Sequence, residues 1–257
     1  MTLHFHKYQG TGNDFVVIDN RDNHFDRKNN ELVAKLCDRR FGVGADGLML
    51  LQSHIDYDFE MVYYNADGFE GSMCGNGGRC LVQFAHDLGV IREKTTFIAV
   101  DGEHEAFLKE GLVHLKMIPV TEIENNSDFD YMNTGSPHYV EYVNDLEIFD
   151  VFNEGKKVRY NERFNTVGTN VNFVQETGNN SLRVRTYERG VEDETLSCGT
   201  GVTACALSAS LKGYTSPIQL TVQGGQLAVS FERTANGYDN IFLIGPAMKV
   251  FEGTFIV

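Results

Sequence analysis

The chain has 257 residues and a formal net charge of −14, from 22 Lys and Arg against 36 Asp and Glu. That length buries a substantial core and is expected to divide into two domains, while the negative field repels phosphate backbones and argues against a nucleic-acid partner. No apolar run approaches the roughly 20 residues a membrane-spanning helix requires, and the opening MTLHFHKYQG is not a basic-then-apolar export signal, so a cytoplasmic protein without a membrane partner is expected.

In chain order, short runs rich in Val, Ile, Phe and Tyr read as strands: HFHKYQG, DFVVID, YDFEMVYYN, TTFIAVDG, LVHLKMI, HYVEYV, SLRVRTYE, PIQLTVQGG, QLAVSFE and NIFLIG. Gly, Asn or Asp bounds several of them, as hairpin turns require. A first helix is expected in NELVAKLCDRRFG, where Leu32, Leu36 and Cys37 share a face and Gly42 lies just past the end. A second is expected in GRCLVQFAHDLG, with Leu81, Phe84, Ala85 and Leu88 at helical spacing, and a third in GVTACALSASLKG, with Val202, Cys205, Ala206 and Ala209. Gly89 and Gly213 are placed to cap these two. Small apolar residues around most of the third predict a helix wrapped in sheet.

Two stretches repeat each other. SMCGNGGRC at 72–80 returns as LSCGTGVTA at 196–204, with an offset of 124 between Cys74 and Cys198. Tyr64 and Tyr187 are offset by 123, and TGNDFVV aligns with TGSPHYV through Gly12 and Gly135, also by 123. Gly42 and Gly168 add a weaker match, offset by 126. Near-constant offsets in one order predict duplicated halves, each mostly β with a central helix. The expected boundaries are 1–119, completed by the final strand 246–257, and 120–245. A site between the halves then takes one cysteine from each.

A thiolate is stabilised at a helix N-terminus, where unpaired N–H groups and the macrodipole favour negative charge, and the same groups can hold a substrate carboxylate. Glycines after the cysteine remove the Cβ that would block a ligand. With a small amino acid between two such turns, one sulfur takes a proton from the α-carbon and the other returns one to the opposite face, which inverts the centre by general acid/base catalysis. The carbanion-like transition state spreads its charge into a carboxylate already bound. Other uses of the cysteines are weaker. Cys74 to Cys80 and Cys198 to Cys205 are not at the C-x₂₋₄-C spacing of structural zinc, so no metal is expected, and no C-x-x-C redox motif occurs. The odd count of five argues against a disulfide framework, and Cys37, Cys80 and Cys205 are expected in the core.

GTGNDFVVID, NADGFEGSMCGNGGRC, GTNVNFVQ and YERGVEDETLSCGTG together resemble the diaminopimelate epimerase family, in the family's order. The resemblance implies an α/β (α+β) fold of two pseudo-symmetric halves, each a β-barrel-like sheet wrapped around a central helix. It implies a cofactor-independent isomerase that interconverts LL- and meso-2,6-diaminopimelate, for lysine and peptidoglycan precursors, and a homodimer. Carried over by motif, Cys74 and Cys198 are the catalytic pair, and Gly75, Asn76, Gly199 and Thr200 cradle the carboxylate at the reacting centre. Asn13, Asn65 and Asn170 resemble substrate-binding asparagines. Arg189 resembles the arginine that meets the distal carboxylate, a task that suits a bidentate guanidinium. Glu188 resembles a substrate contact that also tunes thiol pKa, and His138 a second tuning residue. Three departures bear on the distal end: Ser136 where Asn is common, Gly47 where some members carry Gln, and one extra residue in RGVEDETLSC. The competing readings are a proline or hydroxyproline epimerase, a non-catalytic amino-acid-binding protein, and a redox sensor in which Cys74 and Cys198 form a disulfide.

Overall fold

The computed structural model describes residues 2–71 and 73–257. Two compact units make up the chain, one of Met1–Leu115 with Gly245–Val257 and the other of Lys116–Ile244.

The first unit holds β1 (Thr2–Gly10), β2 (Asn13–Asp19), α1 (Asn30–Cys37), β3 (Gly47–Gln52), β4 (Phe59–Asn65), α2 (Gly75–Asp87), β5 (Lys94–Ala99), β6 (Gly102–Lys109), β7 (Leu112–Lys116) and the C-terminal β17 (Met248–Ile256). Along the sheet, β1 pairs antiparallel with β2, β2 parallel with β3, β3 antiparallel with β4, β4 parallel with β5, and β5, β6 and β7 follow as antiparallel hairpins. β17 runs antiparallel along β1. Alternating side chains divide between two helices, as the period-2 pleat dictates. Leu3 and Phe5 join Val33 and Leu36 of α1 in one core cluster, while Tyr8 meets Phe84 of α2 edge-on from the other face of β1. α2 touches β1, β2, β3, β4 and β17, and is the central helix of this unit.

The second unit comprises β8 (Ile123–Asn125), β9 (Asp130–Asn133), β10 (Pro137–Tyr142), α3 (Val151–Arg159), β11 (Asn170–Gly178), β12 (Ser181–Glu188), β13 (Asp193–Thr195), α4 (Gly199–Leu211), β14 (Ile218–Val222), β15 (Gly225–Thr234) and β16 (Gly237–Gly245). β9 pairs antiparallel with β10, β10 parallel with β11, β11 antiparallel with β12, β12 parallel with β14, and β14, β15 and β16 continue antiparallel. This is the order and polarity of β1 to β7, with α3 and α4 inserted where α1 and α2 stand. α4 is buried without a break from Val202 to Ser210, so it is the axis of its sheet. Gly89 and Gly213, φ +70° and +96°, follow the ends of the two central helices in the left-handed conformation.

Two helical expectations need correction. α1 stops at Cys37 instead of running on toward Phe41, because Asp38 turns extended and its carboxylate accepts from the amides of Arg40 and Phe41 at 2.7 Å. α3 was absent from the sequence reading. Gly155 in its middle weakens the helical pattern, yet a Cβ there would come within 2.4 Å of Tyr187 Cβ. Its start is signed by Asp150, whose side chain accepts from Asn153 N, and its last turn by Lys156, Lys157 and Arg159.

Candidate active site

Each central helix begins at a cysteine. Cys74 and Cys198 are the N-cap residues of α2 and α4, both extended, and neither side chain makes a cap hydrogen bond. Neither helix has an acidic residue in its first turn.

Around Cys74 the polar groups come from the loop ends and from α2 itself. Cys74 Sγ lies 3.7 Å from Asn13 Oδ1, which also accepts from Asn76 Nδ2 at 3.3 Å. Asn13 is held from its other end, its Nδ2 donating to Asp46 at 2.7 Å. Asp46 in turn receives Arg39, which also pairs with Asp14, where Lys7 forms a further ion pair at 2.7 Å. Burial works against the Asp14 carboxylate, but the hydrogen bonds and charges of Arg39 and Lys7 outweigh it and hold its pKa down to about 2. Asn76 Oδ1 accepts from Arg79 Nη2 at 3.1 Å. Arg79 is fully buried on α2 and also donates to Thr11 Oγ1 and Gly75 O. Cys80 and Cys37 lie in the core, where burial pushes each thiol up to about 12 and keeps it protonated.

Around Cys198 the sheet supplies the groups. His138 of β10 and Asn172 of β11 lie on one face of a parallel pair in which His138 is in register with Asn170 and Val140 with Asn172. Asn172 Nδ2 donates to Tyr139 O at 2.8 Å and to His138 Nδ1 at 3.1 Å, while its Oδ1 accepts from Thr186 on β12 at 3.0 Å. His138 Nε2 lies 2.9 Å from Thr200 Oγ1, which is 3.5 Å from Cys198 Sγ. Burial holds the imidazole neutral, with its pKa lowered to about 3, and the charge of Arg189 acts in the same direction. Cys205 is buried on α4 and its thiol is pushed well above its ordinary value.

Of the residues singled out in the sequence, Cys74, Asn13, Gly75 and Asn76 gather in the first unit, and Cys198, Gly199, Thr200 and His138 in the second. Asn65 is exposed at the end of β4, where its backbone closes a turn with Gly68 and Phe69. Asn170 is buried and spends its amide within the protein: Nδ2 donates to Ser136 Oγ and Pro137 O, and Oδ1 accepts from Arg189 N. It therefore fixes the backbone that carries Arg189. The Arg189 guanidinium donates to Val167 O at 3.0 Å and to Ser136 Oγ at 3.3 Å, both neutral groups. Ser136 thus acts as a support for that arginine. Glu188 accepts from Thr195 Oγ1 at 2.9 Å. The extra residue after Gly190 is absorbed by Glu192 at φ +58°, whose carboxylate accepts from Gly190 N and from Arg159. A side chain at Gly47 is blocked, since a Cβ would lie 2.6 Å from Tyr64 O and 2.7 Å from the Tyr63 ring.

The sequence reading missed Asp46, Arg79, Asn172 and Thr186. Asn172 carried a signal, as the second Asn of TNVNF, two residues from Asn170 and hence on the same strand face. Among the described residues, the one group of three His, Cys, Asp or Glu side chains close enough to share an ion is His4, His6 and Glu252, with donor atoms within 4.8 Å of one another, and neither Cys74 nor Cys198 belongs to it. No helix of the described residues is long and apolar enough to cross a membrane.

The chain is 52% identical over 255 residues to the diaminopimelate epimerase of Flavobacterium psychrophilum, covering 98% of this chain and 100% of that protein. It is 44% identical to the diaminopimelate epimerase of Chlorobaculum tepidum, covering 95% and 98%. Among solved structures, a phenazine biosynthesis protein of the PhzF family from Bacillus anthracis superimposes with a TM-score of 0.75 at 13% identity, over 100% of both chains. A hydroxyproline epimerase from Agrobacterium vitis does so with a TM-score of 0.68 at 16% identity, over 98% of this chain and 92% of that one. At such identities the likeness is one of fold. A family model described as diaminopimelate epimerase matches residues 5–109 and 131–250, and with relatives this similar along their full length the chain belongs to the diaminopimelate epimerase family.

Proposed function

We propose that this protein is a cofactor-independent diaminopimelate epimerase, in which Cys74 and Cys198 exchange the α-proton of LL- and meso-2,6-diaminopimelate. The observation that carries the reading is the duplicated one: a cysteine at the N-cap of each central helix, where first-turn amides and the macrodipole favour an anion. Amides of Gly75, Asn76, Gly199 and Thr200 bind the carboxylate at the reacting centre, where the helix macrodipoles stabilise charge as the proton leaves. One sulfur abstracts the proton as a thiolate and the other, as a thiol, donates from the opposite face, so the centre inverts and the two sulfurs exchange protonation states. The net proton count is unchanged across a turnover, which then needs no redox or electrophilic cofactor.

Arg189 takes the distal carboxylate and discriminates in favour of a substrate with an amino-acid group at each end. Proline and hydroxyproline lack such a group, so a guanidinium held ready by Ser136 and Val167 favours the diaminopimelate reading. Asn13, Asn65, Asn170 and Glu188 contact the substrate, and Glu188 and His138 tune the thiols. The same reading carries a cytoplasmic location and a homodimer. Met248, Val250, Phe251 and Ile256 are exposed along β17, with Phe251 and Ile256 on opposite faces of the strand, and a second copy pairing there would cover apolar groups.

Purified, reduced protein freed of metals by chelation should convert LL-diaminopimelate to the meso form with no addition. Turnover only after a metal or pyridoxal phosphate is restored, or faster turnover of L-proline, would overturn the proposal. Light scattering at micromolar concentration should give twice the chain mass, and a monomer would remove the dimer from it.

A further inference from the structure

His4, His6 and Glu252 take no part in the reaction proposed above, yet the pleat brings them together. His4 and His6, two residues apart on β1, point to one face of the strand, and Glu252 of the antiparallel β17 stands directly opposite His6. The two imidazoles meet at an interplanar angle of 69° with centroids 4.9 Å apart, and one donor atom from each of the three side chains lies within 4.8 Å of the others. Phe84 of α2 covers the inner side, its ring 4.9 Å from that of His6. Phe84 is ten residues along α2 from Cys74, about 15 Å of helix, so the cluster is remote from the sulfur of its unit.

A packing role accounts for part of this arrangement. The His6 ring fills space against Phe84, and Glu252 forms a surface ion pair with Lys249. Packing does not account for His6 Nδ1. That atom is buried and makes no hydrogen bond, although Glu252 Oε2 lies 3.3 Å away. A buried ring nitrogen without a partner costs free energy that a ligand at this place would recover. Burial lowers the His6 pKa, with the charges of Lys249 and His4 in the same direction, against the opposing pull of Glu252 and Asp19. The ring therefore favours its neutral form, which is the form that binds metals.

We propose that His4, His6 and Glu252 bind a divalent transition-metal ion, zinc before others, which clasps the C-terminal strand β17 to β1. Two imidazoles and a carboxylate form a donor set that suits zinc, whereas magnesium and calcium take oxygen ligands. Three protein ligands leave the fourth tetrahedral position to water. Ligand atoms about 2.1 Å from a tetrahedral zinc stand about 3.4 Å apart. His6 Nδ1 and Glu252 Oε2 are already at that separation, and His4, exposed at the strand's outer end, closes on them by side-chain rotation. Lys249 yields Glu252 to the ion and turns to solvent, to which its side chain is already 40% exposed. Asp19, which holds Arg21 at the end of β2, adds a second nearby carboxylate, and the net charge of −14 favours a cation over this surface. The site is independent of the two-cysteine chemistry, and its role is to fasten the last strand of the first unit.

The test is a titration of the full-length, chelator-treated protein with zinc ion, made in Cys74→Ala/Cys198→Ala so that the two helix-start thiols contribute nothing, and read by NMR of the histidine ring nitrogens. One zinc ion per chain should bind, moving the signals of His4 and His6 and leaving the other six of the eight histidines in place. Zinc at 100 times its Kd should raise Tm by about 5 to 10 °C. Loss of an outer-shell partner alone weakens metal sites by about 10- to 100-fold, so His4→Ala and Glu252→Gln, both at exposed positions, should each weaken zinc binding by about 100-fold or more. Magnesium ion at the same concentration should move neither the signals nor Tm. No binding, saturation that moves other histidines instead, zinc affinity unchanged in His4→Ala or Glu252→Gln, or magnesium acting as zinc does would each overturn the proposal. With both cysteines restored, His4→Ala should epimerise at the parent rate, and a loss of turnover would overturn the assignment of the site as a clasp.

Discussion

Placed at equivalent positions of the duplicated sheets, Phe15, Met49 and Tyr63 of the first unit match His138, Asn172 and Thr186 of the second, each offset by 123 residues. The registers agree: Met49 is opposite Tyr63, and Asn172 is opposite Thr186. The same three places hold an apolar group packed on itself, with the Phe15 and Tyr63 rings 6.1 Å apart, and a hydrogen-bonded polar group. In the first unit the polar support for the cysteine instead comes from Asn13, Asp46 and Arg79, outside those positions. Duplication preserved the backbone and the helix start while the two sulfurs acquired different surroundings. A racemising enzyme needs two groups that can exchange roles, yet only one can begin as the base, and dissimilar surroundings set which.

The comparison is broken most severely by removing either thiol. Cys74→Ala and Cys198→Ala should each reduce epimerisation by about 10²- to 10⁴-fold, measured by the appearance of meso product. A variant near the parent rate would remove that cysteine from the reaction. Arg189→Lys keeps the charge but loses the planar fork, and should lower kcat/KM by about 10- to 100-fold, mainly through KM. An unchanged KM for diaminopimelate would show that the distal carboxylate is bound elsewhere.

Gly77 and Gly201, each three residues after its cysteine, sharpen the comparison without chemistry. A Cβ at Gly201 would meet Asn172 Oδ1 at 2.4 Å, whereas at Gly77 the nearest atom is the flexible Met49 Sδ at 3.1 Å. Gly201→Ala should therefore cost about 1 to 3 kcal/mol in urea unfolding, as an overpacked site does. Gly77→Ala should change stability by less than about 1 kcal/mol, because improved helix propensity offsets the contact. Equal costs would show that the two inner faces are equally rigid.

The smallest effect concerns acid. Asp14 has a folded-state pKa lowered to about 2 from its ordinary 3.8, so its contribution is present above the unfolded value and is lost as pH falls through about 4 toward 2. Asp14→Asn should flatten that part of the stability curve, since the charged partners Lys7 and Arg39 no longer gain a carboxylate as pH rises. His138 has no counterpart there: neutral in the folded protein down to about pH 3, it adds stability as pH rises from about 3 toward 6.5, and that contribution is complete above 6.5.

Much of this organisation was legible in the sequence because it is local or repeated. The cysteine turns, the helical spacing behind them and the offsets between Gly12 and Gly135 needed no tertiary information. α3 was not legible, because Gly155 is chosen by its contact with Tyr187 and not by helix propensity. Nor were the internal partners of Asn170, since Ser136, Pro137 and Arg189 meet it only across folded strands. The orientation of Asn13 depends on Asp46, 33 residues away, and that of His138 on Asn172, 34 away; neither separation has a period to betray it.

The central claim, proton exchange between two cysteines, is tested most directly by following LL-diaminopimelate in D₂O by NMR with the reduced protein and no added cofactor. Two bases predict that, early in the reaction, meso product carries deuterium at the inverted centre while the remaining LL substrate keeps its α-proton. Product that retains the original proton, or LL substrate that exchanges as fast as product forms, would indicate one base serving both faces and would contradict the account.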